Sequence, residues 1–138
     1  MVPMLFLSAL GVAAALSSRP AAPIHINDNV RPAGHLDGSV LTVHLVAAVG
    51  QWQPAGPETA PLDDAAFGEE GSPLSVPGPL IRARQGTTVA VSVHNSLGAD
   101  LRVFGLCAKP GPCEPIAVAA GTSRELRLAL NAPGTFYY

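Results

Sequence analysis

The chain has 138 residues, eight basic and ten acidic side chains, and a formal net charge of −2. Charge this sparse and balanced gives no electrostatic footprint for nucleic acid or for an anionic membrane surface, and the length suits one domain with a modest core. Fourteen glycines and fourteen prolines beside few aromatics favour an all-β domain with many turns.

Met1 to Leu16 is the one continuous apolar run. A transmembrane helix needs about 20 apolar residues, so no stable membrane span is expected. The run suits a secretory leader, with Ala15-Leu16-Ser17 as small residues near a cleavage point, although no Lys or Arg precedes it. Residues 1–18 are therefore read as a signal peptide and the protein as secreted or periplasmic. An uncleaved anchor or a mis-chosen start codon is the alternative. Residues 19–38, rich in Pro, Ala and Asn, read as an extended arm rather than a packed element. His25 and His35 fall in that arm and are read as solvated.

The domain is expected over 39–138. Ser39 to Gln51 is the first strand, with Leu41, Val43, Leu45, Ala47 and Val49 on one face. Trp52 is placed at the edge of the core. Gln53 to Val76 reads as a long loop without periodicity, carrying Glu58, Asp63, Asp64, Glu69 and Glu70. Those acids lack calcium-loop spacing and are read as solvated. Pro77-Gly78-Pro79 excludes a helix and a central strand. Leu80 to Arg84 is short and extended, Gln85-Gly86 turns, and Thr88 to Asn95 alternates with Val89, Val91 and Val93 on one face.

Leu101 to Leu106 is the next strand, with Arg102, Phe104 and Leu106 expected on one face. Cys107 and Cys113 are the only cysteines, across a Pro-Gly-Pro turn. An even count in an exported chain favours a disulfide, worth about 2 kcal/mol at most for so short a loop. Two free thiols are the alternative, and a metal site would need more ligands. Glu114 to Ala119 is extended. Arg124 to Leu130 alternates, with Leu126, Leu128 and Leu130 inward. Thr135 to Tyr138 is expected to start a final strand. The pattern gives about six strands, no helix and a Greek-key β-sandwich.

One stretch is more specific than that. Pro77-Gly78-Pro79-Leu80-Ile81-Arg82, then Gly86-Thr87-Thr88-Val89 and a strand ending Asn95-Ser96-Leu97, resembles the first cupredoxin domain of multicopper oxidases, the laccase-like family. The resemblance covers roughly Leu41 to Tyr138. It implies a cupredoxin-like sandwich, C-terminally incomplete, that packs against further cupredoxin domains of the same protein. It also implies that Phe67 drops from the long loop onto the sandwich.

The family's first domain supplies histidines to a copper cluster, one pair from a His-Trp-His-Gly-Leu segment. The matching segment here is Arg102-Val103-Phe104-Gly105-Leu106. Guanidinium stays protonated and phenyl has no donor atom, so neither replacement binds copper. The second pair follows a Gly-Thr-x-x-Tyr segment, which Gly134-Thr135-Phe136-Tyr137-Tyr138 matches up to the position before the histidine. His44 and His94 remain. Each sits on the polar face of a strand, and two imidazoles without a third ligand make a weak copper site.

No G-x-S-x-G elbow, H-E-x-x-H pair or phosphate loop occurs. The expectation is therefore copper in the full-length family but none held tightly by this chain, and no catalytic residue in it. Its function is read as the N-terminal, structural domain of a secreted multicopper oxidase. The alternative is a copper-free exported β-sandwich that binds a partner. A domain stopping in mid-strand would leave a raw sheet edge and be marginal and sticky in isolation.

Overall fold

A computed structural model describes residues 21–108 and 112–138; the leader expected over 1–18 lies outside them. The described residues form nine strands and no helix: β1 (His25–Ile26), β2 (His35–Asp37), β3 (Val40–Trp52), β4 (Leu62–Glu69), β5 (Ser75–Val76), β6 (Thr88–Asn95), β7 (Leu101–Val103), β8 (Ile116–Val118) and β9 (Ser123–Ala129). The main sheet runs β1-β5-β4-β3-β6-β9, with β2 also paired to β3, and β7 and β8 form a second, two-stranded sheet.

β6 follows directly from its sequence. Val89, Val91 and Val93 are fully buried while Ala90, Ser92 and His94 alternate with them, the pattern of a strand with one covered face. It pairs in parallel with β3 (Val43 against Val91) and antiparallel with β9 (Leu126 against Val91). The core over this face gathers Leu41, Val43 and Leu45 of β3, the three valines, Val103, Leu106 and Val118. Leu126, Leu128 and Leu130 pack at its margin. Phe67 reaches the same core and meets Tyr138 edge-to-face at 5.5 Å, a favourable aromatic geometry. The aromatic expected to fall back onto the sandwich does so.

Four expectations need correction. The segment read as an unpacked arm contributes β1 and β2 over its described part, and Ile24 and Ala33 are buried. The loop read over 53–76 contains β4, an eight-residue strand antiparallel to β3. Asp63, Asp64 and Glu69 lie on that strand, not in a loop, and Glu69 Oε1 accepts the Gly34 N–H at 2.7 Å. Leu62-Asp63-Asp64-Ala65-Ala66 has almost no intrinsic strand preference, so its pairing with β3 decides its state. The strand expected from Thr135 is absent: residues 131–138 run without regular strand pairing. Val49 is 47% exposed rather than inward.

Val49 faces water because β3 changes its covered side. Leu41, Val43, Leu45 and Ala47 are buried in the first half, whereas Ala48, Gly50 and Trp52 are covered in the second. That second side packs on a small separate cluster of Ile24, Ala66 and Leu74. Gly50 allows the close approach. A Cβ there would meet Ile24 Cγ1 at 2.6 Å and the Ala22 carbonyl at 2.8 Å. Gly50→Ala is expected to cost about 2 kcal/mol by overpacking, seen in urea unfolding, and to loosen residues 21–26 first, seen as earlier proteolytic cleavage there.

Candidate functional site

The segments that carry the family-like pattern are far apart in sequence and meet in space. Pro77 to Ala83, Gly105 to Cys107 and Ala132 to Tyr138 line one cleft of about 670 Å³. Its walls are mainly apolar, with Leu80, Ile81, Leu106 and Phe136 among them. Its floor is the covered face of the main sheet, through Val89, Leu128 and Leu130.

Each wall is placed by a local device. Leu80 bridges Pro32 in parallel, and its carbonyl accepts the Ala33 N–H at 2.7 Å. Asn27 Nδ2 donates to the Gly78 carbonyl at 3.0 Å. The Tyr138 hydroxyl donates to the Pro79 carbonyl, which ties the end of the described chain to the proline turn. Burial pushes the Tyr138 phenol above its ordinary value, so the hydroxyl remains a donor at all ordinary pH. Because the folded-state value is raised, the contribution is full below the unfolded value, about 10, and fades as pH rises above it.

The positions that the resemblance matches to copper ligands lie outside the cleft. Arg102 is exposed on β7, and Phe104 follows with 60% of its surface exposed. Val103 between them is buried, so residues 102 and 104 both project outward, as a ligand pair on a strand would. Leu106 does not share that face, contrary to expectation. Gly105 has φ +81° and reverses the alternation, which turns Leu106 into the core. The side chains at 102 and 104 do not fit copper, since neither offers a lone pair. Arg102 instead rims a shallow depression with Asp100, Thr122 and Arg124.

His44 and His94 are brought to the same face. β3 and β6 are parallel neighbours with His44 level with Ser92, so His94 stands one step further along. His44 Nδ1 shares a hydrogen bond with Ser92 Oγ at 2.6 Å, and His94 Nδ1 with Ser123 Oγ at 2.9 Å. Both pairs occupy the outer face of the main sheet, the opposite side from the cleft. Among the described residues no group of three His, Cys, Asp or Glu is placed to hold a metal ion. His25 and His35 are exposed, on β1 and β2. The expected disulfide is present: Cys107 and Cys113 are bonded, with Cα atoms 6.2 Å apart.

Sequence reasoning missed Asn95. Its side chain is completely buried. Nδ2 donates to the Ala99 and Val118 carbonyls, both at 2.9 Å, and Oδ1 accepts the Leu97 N–H at 2.9 Å. One residue thereby joins the end of β6, the following turn and the second sheet. The signal was available: Asn95 continues the odd-numbered phase of Val89, Val91 and Val93, where only a fully bonded polar group is tolerated.

No family model and no curated protein matches the chain. Solved structures do resemble it. The laccase from Pediococcus acidilactici Pa5930 superposes with a TM-score of 0.54 at 19% identity, over 83% of this chain and 24% of that one. A multicopper oxidase from Campylobacter jejuni, described as a metallo-oxidase, gives a TM-score of 0.48 at 15% identity, over 80% of this chain and 23% of that one. The chain thus spans about a quarter of the length of these oxidases. Identity this low speaks to architecture alone, and the architecture is an all-β, cupredoxin-like Greek-key sandwich.

Proposed function

We propose that this chain is the N-terminal cupredoxin domain of a secreted multicopper oxidase, a copper-dependent oxidoreductase with dioxygen as acceptor. In this reading its role is structural. The cleft walls and the sandwich pack against further cupredoxin domains of the same protein, and those domains hold the copper. The observation that carries it is the meeting of the three family-like segments around one cleft, within a fold that superposes on a laccase over most of this chain. Export is supported by the Cys107–Cys113 disulfide, a bond that persists in oxidising compartments.

The reading frame beyond the Tyr138 codon tests it. Continuation into domains with His-x-His pairs and a Cys-His copper site is the expected result; a stop codon overturns it. A second measurement concerns the chain itself. After exposure to Cu(II) and desalting, retained copper is expected to be substoichiometric, because the 102 and 104 side chains cannot ligate and His44 and His94 lack a third donor. Stoichiometric copper by atomic spectroscopy would contradict the structural role.

The size of the cleft favours one second reading, a copper-free exported β-sandwich that binds a partner. About 670 Å³ lined mainly by apolar side chains is within the range of small-ligand sites. The stop codon that defeats the first reading supports this one.

A further inference from the structure

β9 closes one side of the main sheet, and among the described residues it pairs with β6 alone. Its hydrogen-bond phase is fixed at both ends. Leu130 N–H donates to the Thr87 carbonyl at 3.0 Å, and Asn95 N–H donates to the Thr122 carbonyl at 2.9 Å. In an antiparallel ladder bonded pairs recur every second residue. Arg124, Leu126 and Leu128 therefore bond to Val93, Val91 and Val89, their register partners. Ser123, Glu125, Arg127 and Ala129 turn their N–H and C=O groups to the open side. The Ala129 carbonyl accepts Asn131 N–H at 3.1 Å, which leaves Ser123, Glu125 and Arg127 as the template unpaired among the described residues.

The charges on that template are self-complementary in one register only. A second β9 added antiparallel must match an edge-facing residue with an edge-facing residue. Centring on Glu125 sets two carboxylates directly opposite, and centring on Arg127 sets two guanidinium groups opposite; both are unfavourable. Centring on Leu126 sets Glu125 of each copy against Arg127 of the other, twice, with Leu126 against Leu126 on the inner face. Ser123 then lies opposite Ala129. Arg124 falls opposite Leu128 but is exposed at the rim beside Asp100 and Thr122, where its charge remains in water.

We propose that β9 is a docking edge for a second copy of this chain, joined antiparallel about Leu126, with Glu125 and Arg127 setting the register. The result is a two-fold symmetric dimer with one sheet continuous across both copies, and each copy satisfies the other's unpaired edge. Neither charge is part of the cleft, so the inference stands apart from the oxidase reading.

Sedimentation velocity of the full chain over a range of concentrations and salt tests it. The expected result is a concentration-dependent dimer that weakens as salt rises. Glu125→Arg alone, or Arg127→Glu alone, turns two attractive pairs into two repulsive ones and is expected to weaken the dimer about tenfold or more. The double reversal restores opposite charges at both pairs and is expected to restore the dimer. Arg127→Pro removes an edge-facing N–H without touching the ladder to β6 and is expected to give a monomer with an unchanged circular dichroism spectrum. A chain that is monomeric at every concentration overturns the proposal. So does a dimer indifferent to the single reversals or to Arg127→Pro, or one that the double reversal fails to rescue.

Discussion

Gly105→Ala is expected to lower stability by about 4 kcal/mol, the largest effect of a Gly→Ala change among the described glycines. Two independent costs combine. Gly105 sits at φ +81°, where an L side chain is strained by about 1–2 kcal/mol. A Cβ at this position would also overlap the backbone of Tyr137, beginning with its carbonyl oxygen. Backbone cannot rotate away as a flexible side chain can, so the last residues must move. That movement separates Tyr138 from Phe67 and from the Pro79 carbonyl, and it frees Leu106 from the orientation that buries it. Urea unfolding measures the loss directly. A change below about 1 kcal/mol would show that the C-terminal segment is not seated against Gly105.

Asn95→Ala is expected to cost about 3 kcal/mol, and Asn95→Leu no less. Removing the carboxamide leaves the Val118 carbonyl, the Ala99 carbonyl and the Leu97 N–H without the partner each has now. An unsatisfied buried polar group costs about 1–3 kcal/mol, and a shared network loses more than one bond's worth. Leucine fills the space but returns none of the bonds. The backbone of Asn95, which bonds to Thr122 and Gly121, remains in either variant, so the expected signature is specific. Thermal unfolding shifts down, and amide exchange rises first in residues 97–99 and at Val118. A variant within 0.5 kcal/mol of the parent, the range usual for surface substitutions, would mean that water replaces the side chain.

The sequence carried the parts of the fold that β-branched alternation writes locally. β6 and β9 are legible in Val89-x-Val91-x-Val93 and Leu126-x-Leu128. β4 is not, because Leu62-Asp63-Asp64-Ala65-Ala66 acquires strand geometry only from β3 beside it. The first short strand escapes for a related reason: His25–Ile26 is held by distant Ser75–Val76, a pairing that no local window contains. β2, by contrast, folds back on the start of β3 across Gly38-Ser39 and is hidden only by its lack of apolar alternation. Alternation also misled at β3, since a period of two describes one face, whereas Ile24 and Leu74 arrive from elsewhere to cover the other. At the site, the chemistry of Arg102 and Phe104 could be read from residue type, but the direction of Leu106 could not. One positive φ at Gly105 decides it.

The change of covered side along β3 also sets an order of opening. Its first half is anchored in the large core, whereas its second half leans on a cluster with only three buried members, Ile24, Ala66 and Leu74. Regions with few buried apolar contacts open at lower free energy than the global transition. Residues 21–26, the far end of β3 and the start of β4 therefore constitute a weak cooperative unit grafted on a strong one. Heat or a protease meets that unit first, while the sheet around Val43 and Val91 is still intact. The molecule melts like a door leaving its frame: the leaf swings before the wall gives.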